Sequence, residues 1–338
     1  METKVFDHNT VAAAAKLIQA GEVVAFPTET VYGLGADATD PKAALKVYAA
    51  KHRPADNPLI VTVADPAMVA RYATITPAAQ QLMDAFWPGP LTIILDILPG
   101  ALSMVVTGGL QTAAFRMPAN ALTREMIRLA DRPIVGPSAN LSGKPSATRP
   151  EHVLHDFDGA IAGILDDGPT TVGVESTVID MTVQPPAILR PGEVTPQMLA
   201  PYIGEVATDR HKVGAKETPK APGMKYKHYA PTAQVVVVDH PADWPAAIAW
   251  ATAHHQPFGV MATDAVLTTL PAAVPTYSLG ANLASATRSL FAGLRWFDLH
   301  PTVTLILAEA FAPEGLGVAY MNRLLKSAGN EHFQPDED

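Results

Sequence analysis

Five short segments hold the residues best able to do chemistry: PTETVYGLG at 27–35, KHRPADNPL at 51–59, GPSANLSGKPSAT at 136–148, VESTVID at 174–180 and ILRPG at 188–192. Each is polar, carries glycine, proline or serine, and adjoins an apolar run. Loops at strand ends are where a rigid sheet can fix binding groups. Lys51, Arg53, Arg116 and Arg190 are four of the 14 basic residues in the first 209, and all four lie within or beside such segments. Arginine grips a carboxylate or phosphate through paired N–H donors, lysine acts as a compact charge, and hydroxyls and loop amides fill the remaining lone pairs. The set predicts a pocket for an anion, either a polyphosphate or a carboxylate.

Other chemistries fall away. The chain has no cysteine, which excludes disulfides, thiol nucleophiles, iron–sulfur clusters and cysteine-rich zinc sites. It has no GxxxxGK[ST] loop, no GxSxG elbow and no HExxH helix. His52, His152 and His228 have no partners at metal-ligand spacing. Glu29, Asp37 and Glu175 are the carboxylates available to a magnesium ion arriving with a bound nucleotide. The net charge of −9 argues against nucleic-acid binding by the whole surface. The N-terminus METKVFDHNT lacks a signal peptide's basic end and apolar core, and no apolar run reaches about 18 residues. The expected location is the cytoplasm.

The elements that must hold these segments can be read from apolar patterning. Val23–Phe26, Leu59–Val63, Leu91–Leu98, Ala113–Met117, Pro133–Val135, Ile161–Leu165, Thr177–Ile179 and Ala187–Leu189 read as strands. Asp40-Pro41 and Thr76-Pro77 each supply a cap followed by proline at the first helical position, the former opening a helix that ends near Lys51. Residues 121–130 form a third, amphipathic helix. The first domain is therefore expected to be α/β or α+β with a substantial sheet.

Residues 210–228 carry six basic and one acidic residue, whereas the stretches on either side are acidic. Rich in Lys, Pro and Gly, this stretch reads as an interdomain linker, although Met224, Tyr226 and Tyr229 suggest that part of it packs over something. Beyond it, strands at 234–239, 258–262 and 302–308 alternate with helices at 242–254, 283–297 and 315–328. That is the pattern of a parallel, Rossmann-like sheet, with Gly329 placed to end the last helix. The expected division is 1–207, a linker or lid at 208–231, and 232–338.

FPTETVYGLGADA, KHRPADNPLIV, WPGPLT, RMP, PSANLSGKPSAT, STVID and ILRPG, in that order, resemble the YrdC-type domain of threonylcarbamoyl-AMP synthases. APGMKYKHYAP and EGLGVAYMNRLLKSA resemble the long, two-domain form. The resemblance implies an open, twisted, mostly mixed sheet with a concave pocket, followed by a smaller Rossmann-like domain. It implies conversion of L-threonine, bicarbonate or CO2, and ATP into threonylcarbamoyl-AMP and pyrophosphate, for modification of transfer RNA. Magnesium would accompany ATP, with no organic cofactor and no zinc. Lys51, Arg53, Ser138 and Asn140 match the family's polar tetrad. Arg53, Asn57, Thr112, Ser138, Ser146 and Arg190 would contact the nucleotide, with Tyr229 folding back onto it as part of a lid. Thr30, Arg116 and Ser176 would hold threonine. Thr62 departs from the histidine that many relatives carry there, so a further threonine contact at this position would be weaker or differently made. Implied partners are a downstream threonylcarbamoyl-transferase complex and, weakly, tRNA; no membrane is implied. An RNA-binding module without catalysis is the rival reading. The related hydrogenase-maturation carbamoyltransferases are set aside because they carry cysteine-rich zinc fingers.

Overall fold

The structure, a computed structural model, describes residues 2–55, 57–208, 219–220, 229–254, 257–270 and 274–335. Residues 209–218 and 221–228, most of the expected linker or lid at 208–231, lie outside the described residues. The chain divides into two compact units: one of residues 1–142, 147–171 and 175–226, the other of residues 143–146, 172–174 and 227–338.

In the larger unit, chain order runs β1 (Lys4–Phe6), α1 (Val11–Gln19), β2 (Val24–Phe26), β3 (Gly33–Asp37), α2 (Pro41–Lys51), β4 (Val61–Thr62), α3 (Pro66–Val69), α4 (Pro77–Phe86) and β5 (Leu91–Asp96). It continues through α5 (Met104–Thr107), β6 (Thr112–Arg116), α6 (Ala121–Ala130), β7 (Ile134–Val135), α7 (Pro150–Phe157), β8 (Gly163–Leu165), β9 (Thr177–Asp180), β10 (Ala187–Arg190), α8 (Pro196–Ile203) and β11 (Ala207–Thr208). The strands form one sheet in the order β1-β8-β2-β3-β7-β4-β6-β5-β9-β10-β11. β4 runs parallel to β6, and β5 parallel to β9. β5 and β6, like β2 and β3, are antiparallel, so the sheet is mixed.

The capping signals act as expected. The Asp40 side chain accepts from the Lys42 N–H at the start of α2, and Thr76 accepts from Ala79 at the start of α4. One segment differs from its reading as a loop: the second half of PTETVYGLG is strand β3, paired with β2 and β7. A Cβ added at Gly33 would lie 2.3 Å from the Phe26 ring, so glycine there lets the ring cross the strand.

The smaller unit contains β12 (Gln234–Val238), α9 (Trp244–Ala253), β13 (Phe258–Ala262), α10 (Asp264–Leu267), β14 (Thr276–Ser278), α11 (Leu283–Asp298), β15 (Leu305–Glu309) and α12 (Leu316–Ala328). Its sheet, β12-β15-β13-β14, is parallel throughout, as the alternating pattern predicts. Asn282 and Ser285 form a reciprocal capping box on α11, and Gly329 ends α12 at φ +67°. No helix among the described residues is long and apolar enough to cross a membrane.

Candidate functional site

Arg116 ends β6, opposite Thr62 of β4 on one side and Thr92 of β5 on the other. Its Nη1 donates to Thr30 Oγ1 at 2.8 Å, and its Nη2 pairs with Glu29 Oε1 at 2.7 Å. Both side chains of the ion pair are close to nine-tenths buried. The other Glu29 oxygen accepts the Ala119 N–H at 3.0 Å. The Thr30 hydroxyl also meets that of Thr28 at 2.9 Å, and Thr28 accepts the Thr30 and Val31 N–H groups, which fixes the turn carrying Thr30. Arg116 Nε is buried and has no acceptor among the described residues. A buried donor without an acceptor costs about 1–3 kcal/mol, so this N–H favours a ligand oxygen.

A second cluster adjoins the first through Thr92, whose hydroxyl meets Ser176 Oγ at 2.7 Å. Arg190, at the end of β10, donates from Nε to the Ser176 carbonyl at 3.0 Å and from Nη2 to Ser176 Oγ at 3.1 Å. Thr30, Arg116, Ser176 and Arg190 are thus brought together by neighbouring strands. Gly136 closes the space beside Thr62: a Cβ there would fall 2.5 Å from Thr62 Oγ1. Thr112 stands apart from Arg116, at the other end of β6, about 13 Å away at ~3.3 Å per residue.

Lys51 ends α2 with only 3% of its surface exposed. Its ammonium donates to the carbonyls of Ser138 and Asn140, and its own carbonyl accepts the Ser142 N–H at 3.0 Å. Lysine therefore fixes the PSANLS backbone from both of its ends. Arg53 Nη2 donates to the carbonyls of Asn57 at 3.0 Å and Pro58 at 3.3 Å, with the guanidinium 5.7 Å from the Tyr48 ring centroid. The Tyr48 hydroxyl donates to the same Asn57 carbonyl at 2.8 Å. Asn57 Oδ1 is buried without a donor among the described residues.

Ser146 and Tyr229 belong to the smaller unit. Ser146 is fully buried, and Tyr229, at φ +66°, packs 5.1 Å from the Phe291 ring. Thr92 and Tyr32 are site residues that the sequence reading did not assign to ligands, and Glu29, read there as a carboxylate available to magnesium, is the partner of Arg116. Their signal was their place inside PTETVYG and WPGPLT. The Tyr32 hydroxyl donates to the Gly168 carbonyl at 2.7 Å, and burial pushes the phenol well above its usual value. An open pocket of about 250 Å³ lies beside Thr28 and Glu29, with Asn120 and Asp167 on its wall. Among the described residues no group of three or more His, Asp or Glu side chains could hold a metal ion. Glu29 is committed to Arg116, and Asp37 pairs with Arg132 at 3.2 Å.

A family profile described as telomere recombination, covering Sua5, YciO and YrdC proteins, matches residues 16–192. One described as the C-terminal domain of threonylcarbamoyl-AMP synthase matches residues 194–329. Threonylcarbamoyl-AMP synthase of Bacillus subtilis is 46% identical over 94% of this chain and 93% of its own length. That of Pyrococcus abyssi is 44% identical with the same coverage. A crystal structure of P. abyssi Sua5 complexed with L-threonine superposes with a TM-score of 0.91 at 41% identity, covering 98% of this chain and 99% of that one.

Proposed function

This chain belongs to the two-domain threonylcarbamoyl-AMP synthase family, and from that premise we propose that its larger unit makes threonylcarbamoyl-AMP from L-threonine, bicarbonate or CO2, and ATP. The observation that carries the reading is the buried Arg116, held by Glu29 and Thr30, with its Nε–H awaiting an acceptor. A threonine carboxylate supplies that acceptor, with Thr30, Ser176 and Thr62 around the rest of the amino acid. Arg53, Asn57, Thr112, Ser138 and Arg190 serve the nucleotide, and the family resemblance adds Ser146 and Tyr229. Lys51 and Asn140 complete the polar tetrad.

The threonine amine captures CO2 and loses a proton to solvent, one oxygen of the resulting carbamate attacks the α-phosphorus of ATP, and the bond to the departing pyrophosphate breaks. Such a displacement is served by positioning and by charge neutralisation. Lysine and arginine supply fixed positive charge, and no side chain need act as a base at phosphorus. Magnesium enters with ATP as substrate, held by its phosphates. The product is a labile mixed anhydride destined for a tRNA-modifying transferase complex in the cytoplasm, with weak tRNA contact to this chain.

The test is pyrophosphate release from magnesium-ATP by the purified protein, with threonine or bicarbonate omitted in turn. Release that requires both is the expected result. Release in the absence of threonine, or none from folded protein, would overturn the assignment.

A further inference from the structure

The stretch Gly143–Ser146 lies within the GPSANLSGKPSAT motif, yet it packs as part of the smaller unit. Six contacts fix it there. The Gly143 carbonyl accepts the Ala230 N–H at 2.9 Å. Lys144 donates to Thr232 Oγ1 at 2.9 Å and lies 3.7 Å from Asp298, the last residue of α11. Asp298 in turn accepts the Thr232 N–H at 2.6 Å. From the last turn of α11, Arg295 donates from Nε to the carbonyls of Pro145 at 3.0 Å and Ser146 at 3.2 Å, and from Nη2 to Pro145 at 2.7 Å.

Arg295 is only 7% exposed, and the acceptors it uses here are two backbone carbonyls. A guanidinium presents its donors in a rigid plane, so two carbonyls held by it are fixed in direction as well as distance. A helix held by a capping box and packed on a parallel sheet is a firmer support than a loop.

We propose that Arg295 is a positioning residue for the adenylation reaction: it sets the backbone at Pro145-Ser146 and so aims Ser146 at the nucleotide. The inference rests on the reading of Ser146 as a nucleotide contact. It gives Arg295 a task in catalysis, that of holding the backbone that carries Ser146 in one geometry.

The test compares Arg295→Met, Ser146→Ala and the double variant by KM for ATP, KM for threonine, kcat and thermal unfolding. Arg295→Lys tests rescue and serves in the kinetics if the methionine variant does not fold. Val260→Ala, in the core strand β13, controls for general loss of stability in the same unit. The expected result is a KM for ATP raised about tenfold by Arg295→Met, with KM for threonine changed less than twofold, and partial recovery in Arg295→Lys. The double variant then resembles Ser146→Ala, because the two residues act on one contact. Val260→Ala lowers the unfolding temperature without that shift in KM. If Ser146→Ala raises KM for ATP but Arg295→Met does not, the positioning role is overturned and the Ser146 reading stands. If Ser146→Ala leaves KM for ATP unchanged, the Ser146 reading fails and the inference falls with it.

Discussion

Replacing Arg116 by methionine separates the two tasks that the buried ion pair performs. In the wild type Arg116 neutralises Glu29 across 2.7 Å, with both side chains close to nine-tenths buried. Methionine fills much of the same volume but leaves the Glu29 carboxylate with the Ala119 N–H as its partner among the described residues. Breaking a buried pair from one side costs about 3–5 kcal/mol, and the remaining solvent contact favours the lower end. At about 3 kcal/mol, and ~2–4 °C per kcal/mol for a unit of this size, the unfolding temperature falls by about 6–12 °C. The double variant Arg116→Met with Glu29→Gln removes the stranded charge, so calorimetry should recover most of that loss. Threonine-dependent pyrophosphate release should remain abolished in both variants, because neither offers a cation to the amino acid's carboxylate. A double variant as unstable as the single one would refute the stranded-charge argument. A double variant with restored turnover would refute the assignment of Arg116 to threonine.

Three further outcomes are expected. Lys51→Met withdraws the ammonium from the Ser138 and Asn140 carbonyls; denaturant unfolding should show a loss of about 2 kcal/mol and kcat should fall about a hundredfold, whereas an unchanged kcat would mean that the loop's placement is immaterial to turnover. Gly136→Ala drives a methyl group to 2.5 Å from Thr62 Oγ1 and 2.9 Å from the Phe26 ring, costing about 1–3 kcal/mol, part of which Thr62→Ala should relieve in the same background. Tyr32→Phe removes the 2.7 Å bond to the Gly168 carbonyl at a cost of about 1 kcal/mol, and the difference from wild type should stay constant from pH 6 to 9 because the buried phenol remains protonated throughout.

What could be read from the sequence was local. Asp40-Pro41 announced α2 because cap and proline act within one turn, and QVVVV announced β12 because four consecutive β-branched residues have few other homes. β3 was hidden because Gly33 and Gly35 look like turn residues until Phe26, on the partner strand, is seen to need their missing side chains. The sheet order was beyond reach, since β8 is inserted between β1 and β2 by pairings that no local signal encodes. Among the site residues, the cations stood out by type and by their strand-end positions. Their partners did not: Glu29 meets Arg116 across 87 residues, and Lys51 meets the Ser138 carbonyl across the same separation. Arg295 gave no sign at all, because its acceptors are backbone carbonyls about 150 residues earlier and every residue carries such a group.

The place of β8 also bears on how the chain is made. Among the described residues β1 pairs with β8 alone, Phe6 opposite Leu165, and β2 needs β8 along the edge it does not share with β3. At about 5–20 residues per second, a ribosome takes roughly 8–32 s to go from the first of these strands to the one that joins it to its neighbour. During that interval the nascent chain presents an apolar β2 with one edge unsatisfied and a β1 with no partner. Protection by the ribosome surface or a chaperone would matter most in that window, and slowing translation just before β8 would lengthen it.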